Sequence, residues 1–248
     1  MSGILLGNLA VPSFTTTILF GFMCGYLLTL KDKPRETLYL LGYLLSLFLL
    51  LLSYTVRYSL FSPAGALTGQ VSNLIVFGVA CLVRFAYLYG GDVFPGEGRI
   101  ASAGFLLAGA AAWVSLFFRR DLPFVYDFKA EYFTREMGPR ISYVTFLGYL
   151  WAAAVLARKA SLLSRRGEAG TAPAKTPGGW LERDGRARSC GSFAVLTAAT
   201  AAIAFLYLLF QTGVISRAAY SLVFNSGSAV VCLLDRKSTR LNSSHRIR

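Results

Sequence analysis

The stretch TLYLLGYLLSLFLLLLSYTV, residues 37–56, decides the fold class, because it contains no charged residue and is dominated by leucine. An α-helix rises 1.5 Å per residue, so about 20 residues cross a hydrocarbon core about 30 Å thick. Charged residues flank the stretch, with KDKPRE at 31–36 before it and Arg57 after it. The stretch therefore predicts a transmembrane helix.

Six further apolar blocks of similar length lie along the chain. The whole sequence is 55% hydrophobic and 15% charged, whereas soluble domains average about 45–50% and 25%. We therefore predict an all-α polytopic membrane protein, a seven-transmembrane-helix bundle. The predicted helices cover about residues 11–30, 37–56, 67–89, 100–118, 141–157, 191–210 and 214–234. The segment 158–190, rich in Gly, Ala, Pro and basic residues, is predicted to be a flexible cytoplasmic linker.

Basic residues in the loops indicate the orientation of the bundle. If the N-terminus lies outside, the cytoplasmic loops hold twelve Lys and Arg residues and the opposite loops hold seven. Because Lys and Arg accumulate on the cytoplasmic side, we predict an outside N-terminus. The expected location is a multi-pass position in a membrane, with the basic loops on the cytoplasmic side. Much of the net charge of +13 is thereby explained by topology, so no nucleic-acid partner is expected.

The final stretch DRKSTRLNSSHRIR, residues 235–248, does not resemble the rest of the chain. Residues 235–245 resemble, residue for residue, the translation of a common short-read sequencing adapter. We therefore exclude the tail from the fold analysis and expect different natural sequence after Leu234. The tail holds five basic residues and one acidic residue, so removing it lowers the charge to +9. It also holds the only histidine, His245.

The apolar blocks contain little that could do chemistry. None of the seven blocks contains Asp, Glu or Lys, and the four cysteines form no C-x-x-C motif. Proton relays and ion pathways depend on ionisable groups within the membrane. We therefore predict no catalytic residue, no metal site and no cofactor in this chain.

Neutral polar residues inside the blocks are the first candidates for binding. Gln70 and Asn73 lie about one turn apart in the outer half of the third block. Such residues commonly form hydrogen bonds between helices, and the alternative is contact with a ligand. Both are proposed as ligand-binding residues.

The predicted outer loop 119–140, RRDLPFVYDFKAEYFTREMGPR, combines aromatic and charged residues. One interpretation is an interfacial aromatic belt. The other is a ligand-contacting lid, because binding residues concentrate on loops. Tyr126, Phe128 and Tyr132 are the proposed ligand-binding residues of this loop.

The last block contains a polar segment near its middle, formed by Asn225, Ser226, Gly227 and Ser228. Small and polar residues of this kind favour close helix packing. Gly/Ser pairs are also recognised kink sites. We therefore propose these four residues as relay candidates that change conformation when a signal arrives.

The opening VPSFTTTILFGFMCGYLLTLKDKPRETLYLLGYLLS, residues 11–46, resembles the N-terminal seven-transmembrane sensor regions of bacterial signalling proteins. The short basic first inner loop and the aromatic outer segment VYDFKAEYF, residues 125–133, strengthen the resemblance. Such regions precede a cytoplasmic adenylate or guanylate cyclase, a histidine kinase or a PP2C-type phosphatase. The resemblance implies that the enzymatic part lies beyond Leu234.

The expected function is thus a membrane-embedded sensory input module. It would pass a ligand or bilayer signal through the seventh helix to a catalytic domain absent from this chain. The alternatives are a transporter or permease fragment and an integral membrane enzyme acting on lipid. Expected partners are the lipid bilayer, a small-molecule or lipid ligand and a second copy of the chain in a homodimer.

Overall fold

The protein folds into six helices and one short β-hairpin within the residues that the structure describes. The structure is a computed structural model, and it describes residues 10–31, 33–59, 68–116, 118, 125–127, 132–134, 140–168 and 179–215. The helices are α1 (Ala10–Thr29), α2 (Arg35–Ser59), α3 (Ile75–Leu88), α4 (Pro95–Val114), α5 (Arg140–Glu168) and α6 (Gly179–Gln211). A 3-10 helix (Gly69–Leu74) leads directly into α3, and β1 (Val125–Asp127) pairs antiparallel with β2 (Tyr132–Thr134).

The all-α fold class predicted from the sequence is confirmed, with the small hairpin as an addition. Four helices contain stretches long and apolar enough to cross a membrane, at Arg35–Arg57, Gln70–Leu88, Arg140–Arg165 and Gly185–Gln211. Ser13–Thr29 is a shorter apolar stretch. Within the described residues the structure has six helices, four of which contain candidate spans, and not the seven transmembrane helices predicted; the predicted block 214–234 lies outside the described residues after Ile215.

The predicted flexible linker 158–190 is helical at both ends. α5 continues to Glu168, and α6 already begins at Gly179. The linker prediction averaged composition over the whole segment, whereas Pro173 and Pro177 fall in 169–178, outside the described residues. The flanking residues are largely Ala, Leu, Arg, Ser and Lys, most of which are favourable in helices.

Proline and glycine set several helix ends. Pro34 precedes α2, and its carbonyl oxygen accepts a hydrogen bond from the backbone N–H of Thr37 at 3.0 Å. Gly90 and Gly91 follow α3 with φ of +74° and +109°, a region that glycine adopts without steric cost. Pro95 then opens α4, where its missing N–H has no helical partner to lose.

The helices α1 and α2, and likewise α5 and α6, run antiparallel, as residue pairs across these two interfaces show. Thr17 near the start of α1 lies 3.3 Å, hydroxyl to hydroxyl, from Thr55 near the end of α2. The ring of Phe146 in the first turns of α5 lies 5.4 Å from that of Phe205 near the end of α6. We call the end of the bundle where α4 ends and α5 begins the hairpin end, and the opposite end the lysine end.

The centre of the bundle is α3, which packs against α2, α4 and α5. Val76, Val79 and Val83 are completely buried along its length. Gly78 of α3 and Gly148 of α5 allow backbones to approach closely: an added Cβ would overlap Ser46 Oγ and Val79 Cγ1, respectively. Small residues at such contacts are typical of helix packing in membranes.

Large apolar side chains cover much of the outside. Phe22 of α1 is 73% exposed, Leu107 of α4 is 71% exposed and Val195 of α6 is 67% exposed. Large apolar side chains exposed to this extent on three different helices are unusual for a soluble monomer. Together with the four long apolar stretches, this exposure supports association of the bundle with a membrane.

Candidate functional site

A cavity lies between the helices in the half of the bundle towards the hairpin end. Its volume is about 200 Å³. Residues from α1, α2, the 3-10 helix, α3, α5 and α6 line it, so a bound molecule would contact most of the bundle at once. The lining residues are Thr16, Phe20, Tyr43, Leu47, Leu50, Leu51, Tyr54, Ser72, Asn73, Ile75, Ile141, Ser142, Thr145, Tyr149, Thr200, Ile203, Ala204 and Tyr207.

The lining combines aliphatic side chains with neutral hydroxyl groups. No Asp, Glu, Lys, Arg or His belongs to it. Some of the hydroxyls bond to their own helix: Thr145 donates to the carbonyl oxygen of Ile141 at 2.8 Å, and Thr200 donates to that of Leu196 at 3.0 Å. These groups present mainly their methyl groups and one remaining lone pair to a ligand.

Tyr43 of α2 and Tyr149 of α5 form a hydroxyl pair in the cavity wall. Their phenol oxygens are 3.2 Å apart, and their rings meet edge to face with centroids 6.1 Å apart. Both residues are buried, with 9% and 3% of their surface exposed. Only one of the two hydroxyl protons occupies this bond, and neither phenol forms a further hydrogen bond within the described part of the chain.

Two further polar groups in the wall are also unpaired within the described residues. The Ser142 hydroxyl on α5 forms no side-chain hydrogen bond, although the residue is only 8% exposed. The side-chain amide of Asn73, at the end of the 3-10 helix, is half-buried and likewise forms none there. Ser142 and Tyr149 are seven residues apart on α5, which separates them by about 10 Å along the helix axis.

The structure brings some of the predicted binding residues to this cavity and not others. Asn73 lines it, whereas Gln70, one turn earlier and half-buried, does not. Tyr126 pairs with Phe133, and Tyr132 pairs with Asp127, in the backbone register of the β-hairpin. The proposed ligand role of these residues stays a prediction.

Five predicted residues lie outside the described residues. These are Phe128 of the outer loop and the relay candidates Asn225, Ser226, Gly227 and Ser228.

A second polar cluster lies at the lysine end, around Lys159 of α5. The Lys159 side chain is fully buried. Its ammonium donates to the carbonyl oxygens of Tyr87 at 2.8 Å, Gly91 at 2.7 Å and Ala86 at 3.3 Å, and also to that of Tyr89. The last carbonyls of a helix lack intrahelical partners, so Lys159 caps α3 from a neighbouring helix.

Side chains from α3, α4 and α5 form a hydrogen-bonded chain next to this cap. The Trp151 indole donates to the Tyr87 hydroxyl at 3.1 Å, and Tyr87 donates to Glu97 Oε1 at 2.7 Å. Glu97 also forms an ion pair with Arg158 at 3.2 Å. Arg158 in turn lies 4.1 Å from the centroid of the Phe94 ring, within cation–π range.

The connection between α3 and α4 is held from α6 as well. Cys190 of α6 is completely buried, and its Sγ would lie 3.0 Å from a Cβ placed on Gly90. Beside it, burial raises the pKa of the Tyr89 phenol, while a hydrogen bond with Ser189 of α6 acts in the opposite direction. The lysine end therefore ties α3, α5 and α6 together.

Sequence reasoning missed the Lys159 cluster. A single lysine among Arg158, Arg165 and Arg166 has no local signal that separates it from solvated neighbours. One usable signal existed: the chain LARKASLL continues the helical pattern of α5, so that position 159 follows Ala152 and Leu156 on the buried face. The carbonyl partners, from a distant segment, have no sequence signature.

No group of acidic, cysteine or histidine residues able to hold a metal ion occurs in the described ranges. The arrangement thus defines an all-α protein with four helices long enough to span a membrane and a neutral internal cavity. Comparison of the chain with protein-family models, curated proteins and solved structures gives no match.

Proposed function

We propose that this chain is the membrane-embedded input module of a signal-transduction protein. In this proposal the bundle spans a bacterial inner membrane with its N-terminus and hairpin end outside. A ligand in the cavity biases two arrangements of the helices. Helix seven, in residues 214–234, passes the difference to a cytoplasmic cyclase, kinase or phosphatase domain.

The cavity is the observation that carries the proposal. Its wall is assembled from five segments that are separate in sequence, from Thr16 of α1 to Tyr207 of α6. A ligand shifts a conformational equilibrium only by its differential affinity for the two states. A cavity shared by many helices has that property, because any change in helix packing changes its shape.

The contacts at the lysine end support the same proposal. Lys159 and Cys190 join α5 and α6 to the end of α3. Because of these contacts, a rearrangement of the helices near the cavity also moves α5 and α6 at the opposite end of the bundle. The last described helix, α6, leads into the segment where the predicted relay residues lie.

The test uses the full-length product of the gene. A long read of the source DNA across codon 234 defines its reading frame, which we expect to continue into a cytoplasmic catalytic domain. The cavity is then filled by Ala204→Phe, since Ala204 lines it. We expect this variant to fix the catalytic output at one level regardless of stimulus.

Ala202→Phe is the matched control. Ala202 lies on the same helix but is exposed, so the added ring enters surrounding lipid and not the cavity. It is expected to leave the output response unchanged. A reading frame that ends without a catalytic domain, or a normal response in Ala204→Phe, contradicts the proposal.

One observation favours a transporter as the second candidate. The 3-10 helix Gly69–Leu74 takes the place of regular α-helix directly before α3, beside the cavity, where Ser72 and Asn73 line the wall. Transporter sites are typically formed by broken helices near the membrane midplane. Uptake of a cavity ligand into sealed proteoliposomes, abolished by Ala204→Phe, would favour this candidate over the sensor.

A further inference from the structure

We propose that the cavity takes an uncharged, one-ring-sized molecule that bears a hydrogen-bond acceptor oxygen, such as a ketone, ester or ether. This inference rests on the proposed function in that it names the ligand class of the same cavity. It identifies the Tyr43–Tyr149 pair as the group that recognises the oxygen.

The lining excludes a charged ligand. None of the residues around the cavity carries a formal charge. A carboxylate or ammonium transferred there would lose its hydration without gaining a counter-ion, which strongly disfavours the charged form. The ion pair of Glu97 with Arg158 and the ammonium of Lys159 all lie at the lysine end, away from the lining.

The hydroxyl pair defines the polar part of the ligand. Tyr43 and Tyr149 hold two protons but share one hydrogen bond, so one proton remains to be donated whichever phenol is the donor. Both residues are at least nine-tenths buried and line the cavity. A buried donor without an acceptor is costly, and an oxygen on the ligand supplies the acceptor.

The size of the cavity limits the rest of the ligand. Its volume of about 200 Å³ exceeds the roughly 150 Å³ of an engineered apolar cavity that accommodates benzene. One ring with a short substituent therefore fits. Leu47, Leu50 and Ile203 supply the apolar contacts on its sides.

Three probes of equal non-hydrogen atom count separate these requirements. Para-fluoroacetophenone carries the acceptor, para-fluorocumene replaces it with an alkyl group, and para-fluorobenzoate carries a charge. Each is titrated against the chain in lipid nanodiscs, and binding is followed by fluorine NMR relative to empty nanodiscs. We expect the ketone to bind about three- to tenfold more tightly than the hydrocarbon, the ratio expected for one neutral hydrogen bond.

The decisive variant removes both phenol hydroxyls, Tyr43→Phe with Tyr149→Phe. A single substitution is insufficient, because the remaining phenol regains a free proton. In the double variant the ketone and the hydrocarbon are expected to bind equally. Ala204→Phe is expected to abolish binding of both neutral probes, and Ala202→Phe to leave it unchanged, since only Ala204 lines the cavity.

Several outcomes overturn the inference. These are benzoate binding as tightly as the ketone, a ketone preference that survives in the double variant, and no saturable binding of either neutral probe. If one of these outcomes is found but Ala204→Phe still fixes the output of the full-length protein, only the ligand class is refuted and the sensory function stands. If the probes bind as expected but Ala204→Phe leaves the output responsive, the ligand class stands and the sensory function fails.

Discussion

The ammonium of Lys159 lies 2.8 Å from the backbone carbonyl oxygen of Tyr87, although the two residues are 72 positions apart in the sequence. The lysine thus completes the end of α3 from α5. Burying an ammonium is unfavourable unless hydrogen bonds replace its hydration. Here the carbonyl oxygens of the α3–α4 connection replace it, and Gly90 and Gly91 let the backbone turn so that these oxygens converge.

Lys159→Met is expected to destabilise the bundle by about 2–3 kcal/mol. Methionine has similar length, but it leaves these carbonyl oxygens without their donor. Hydrogen bonds to a charged group contribute about 1.5–3 kcal/mol each, and removing the buried charge offsets part of their loss. The free energy of unfolding in detergent measures the effect. Arg165→Met on the same helix is the control, because Arg165 is exposed. Equal losses in both variants would contradict a capping role for Lys159.

Gly78→Ala is expected to lower the free energy of unfolding by about 1–3 kcal/mol, the usual cost of overpacking a core. The new Cβ would overlap Ser46 Oγ, so α2 and α3 must move apart. Adding Ser46→Gly removes that obstacle and should recover much of the loss.

Gly104→Ala is the matched control for this contact. Gly104 lies in the middle of α4 with no atom near its added Cβ. Because alanine is favoured over glycine in helices by up to about 1 kcal/mol, this variant is expected to be neutral or stabilised. Destabilisation of both variants to the same extent would show that the Gly78–Ser46 contact is not the cause.

The sequence was sufficient to predict where the six described helices lie, because length and hydropathy are local properties, but not that α5 and α6 extend into the predicted linker. Residues 37–56 were expected to be helical, and α2 spans Arg35–Ser59. Asn73 could be selected because a neutral polar residue stands out in an apolar block. The cavity and the Lys159 cap could not be predicted, since both depend on which distant segments meet. The hydrogen bond between Tyr43 and Tyr149 could not be predicted for the same reason, because the two residues are 106 positions apart in the sequence.

Tyr87→Phe is expected to destabilise the protein more than Arg158→Gln. The Tyr87 hydroxyl joins Trp151 to Glu97, and loss of such bonds typically costs about 1 kcal/mol. The Arg158–Glu97 pair is half solvated, with side chains 55% and 40% exposed, and exposed ion pairs contribute about 0–1 kcal/mol. The thermal unfolding midpoint in nanodiscs, measured at low and high salt, separates the contribution of the Tyr87 hydrogen bonds from that of the Arg158–Glu97 ion pair. Only the Arg158 contribution should fall with salt.

Accessibility of introduced cysteines tests the orientation in the membrane. With the N-terminus outside, Asp127→Cys in β1 should react in intact cells with a membrane-impermeant maleimide. Lys31→Cys, between α1 and α2, should react only after permeabilisation, because loops rich in Lys and Arg remain cytoplasmic. The native Cys24 and Cys190 are buried, and replacing Cys81 and Cys232 by alanine in all variants removes the two other native thiols from the background. The reverse labelling pattern would place the cavity half of the bundle towards the cytoplasm. An extracellular ligand would then be the wrong stimulus to test.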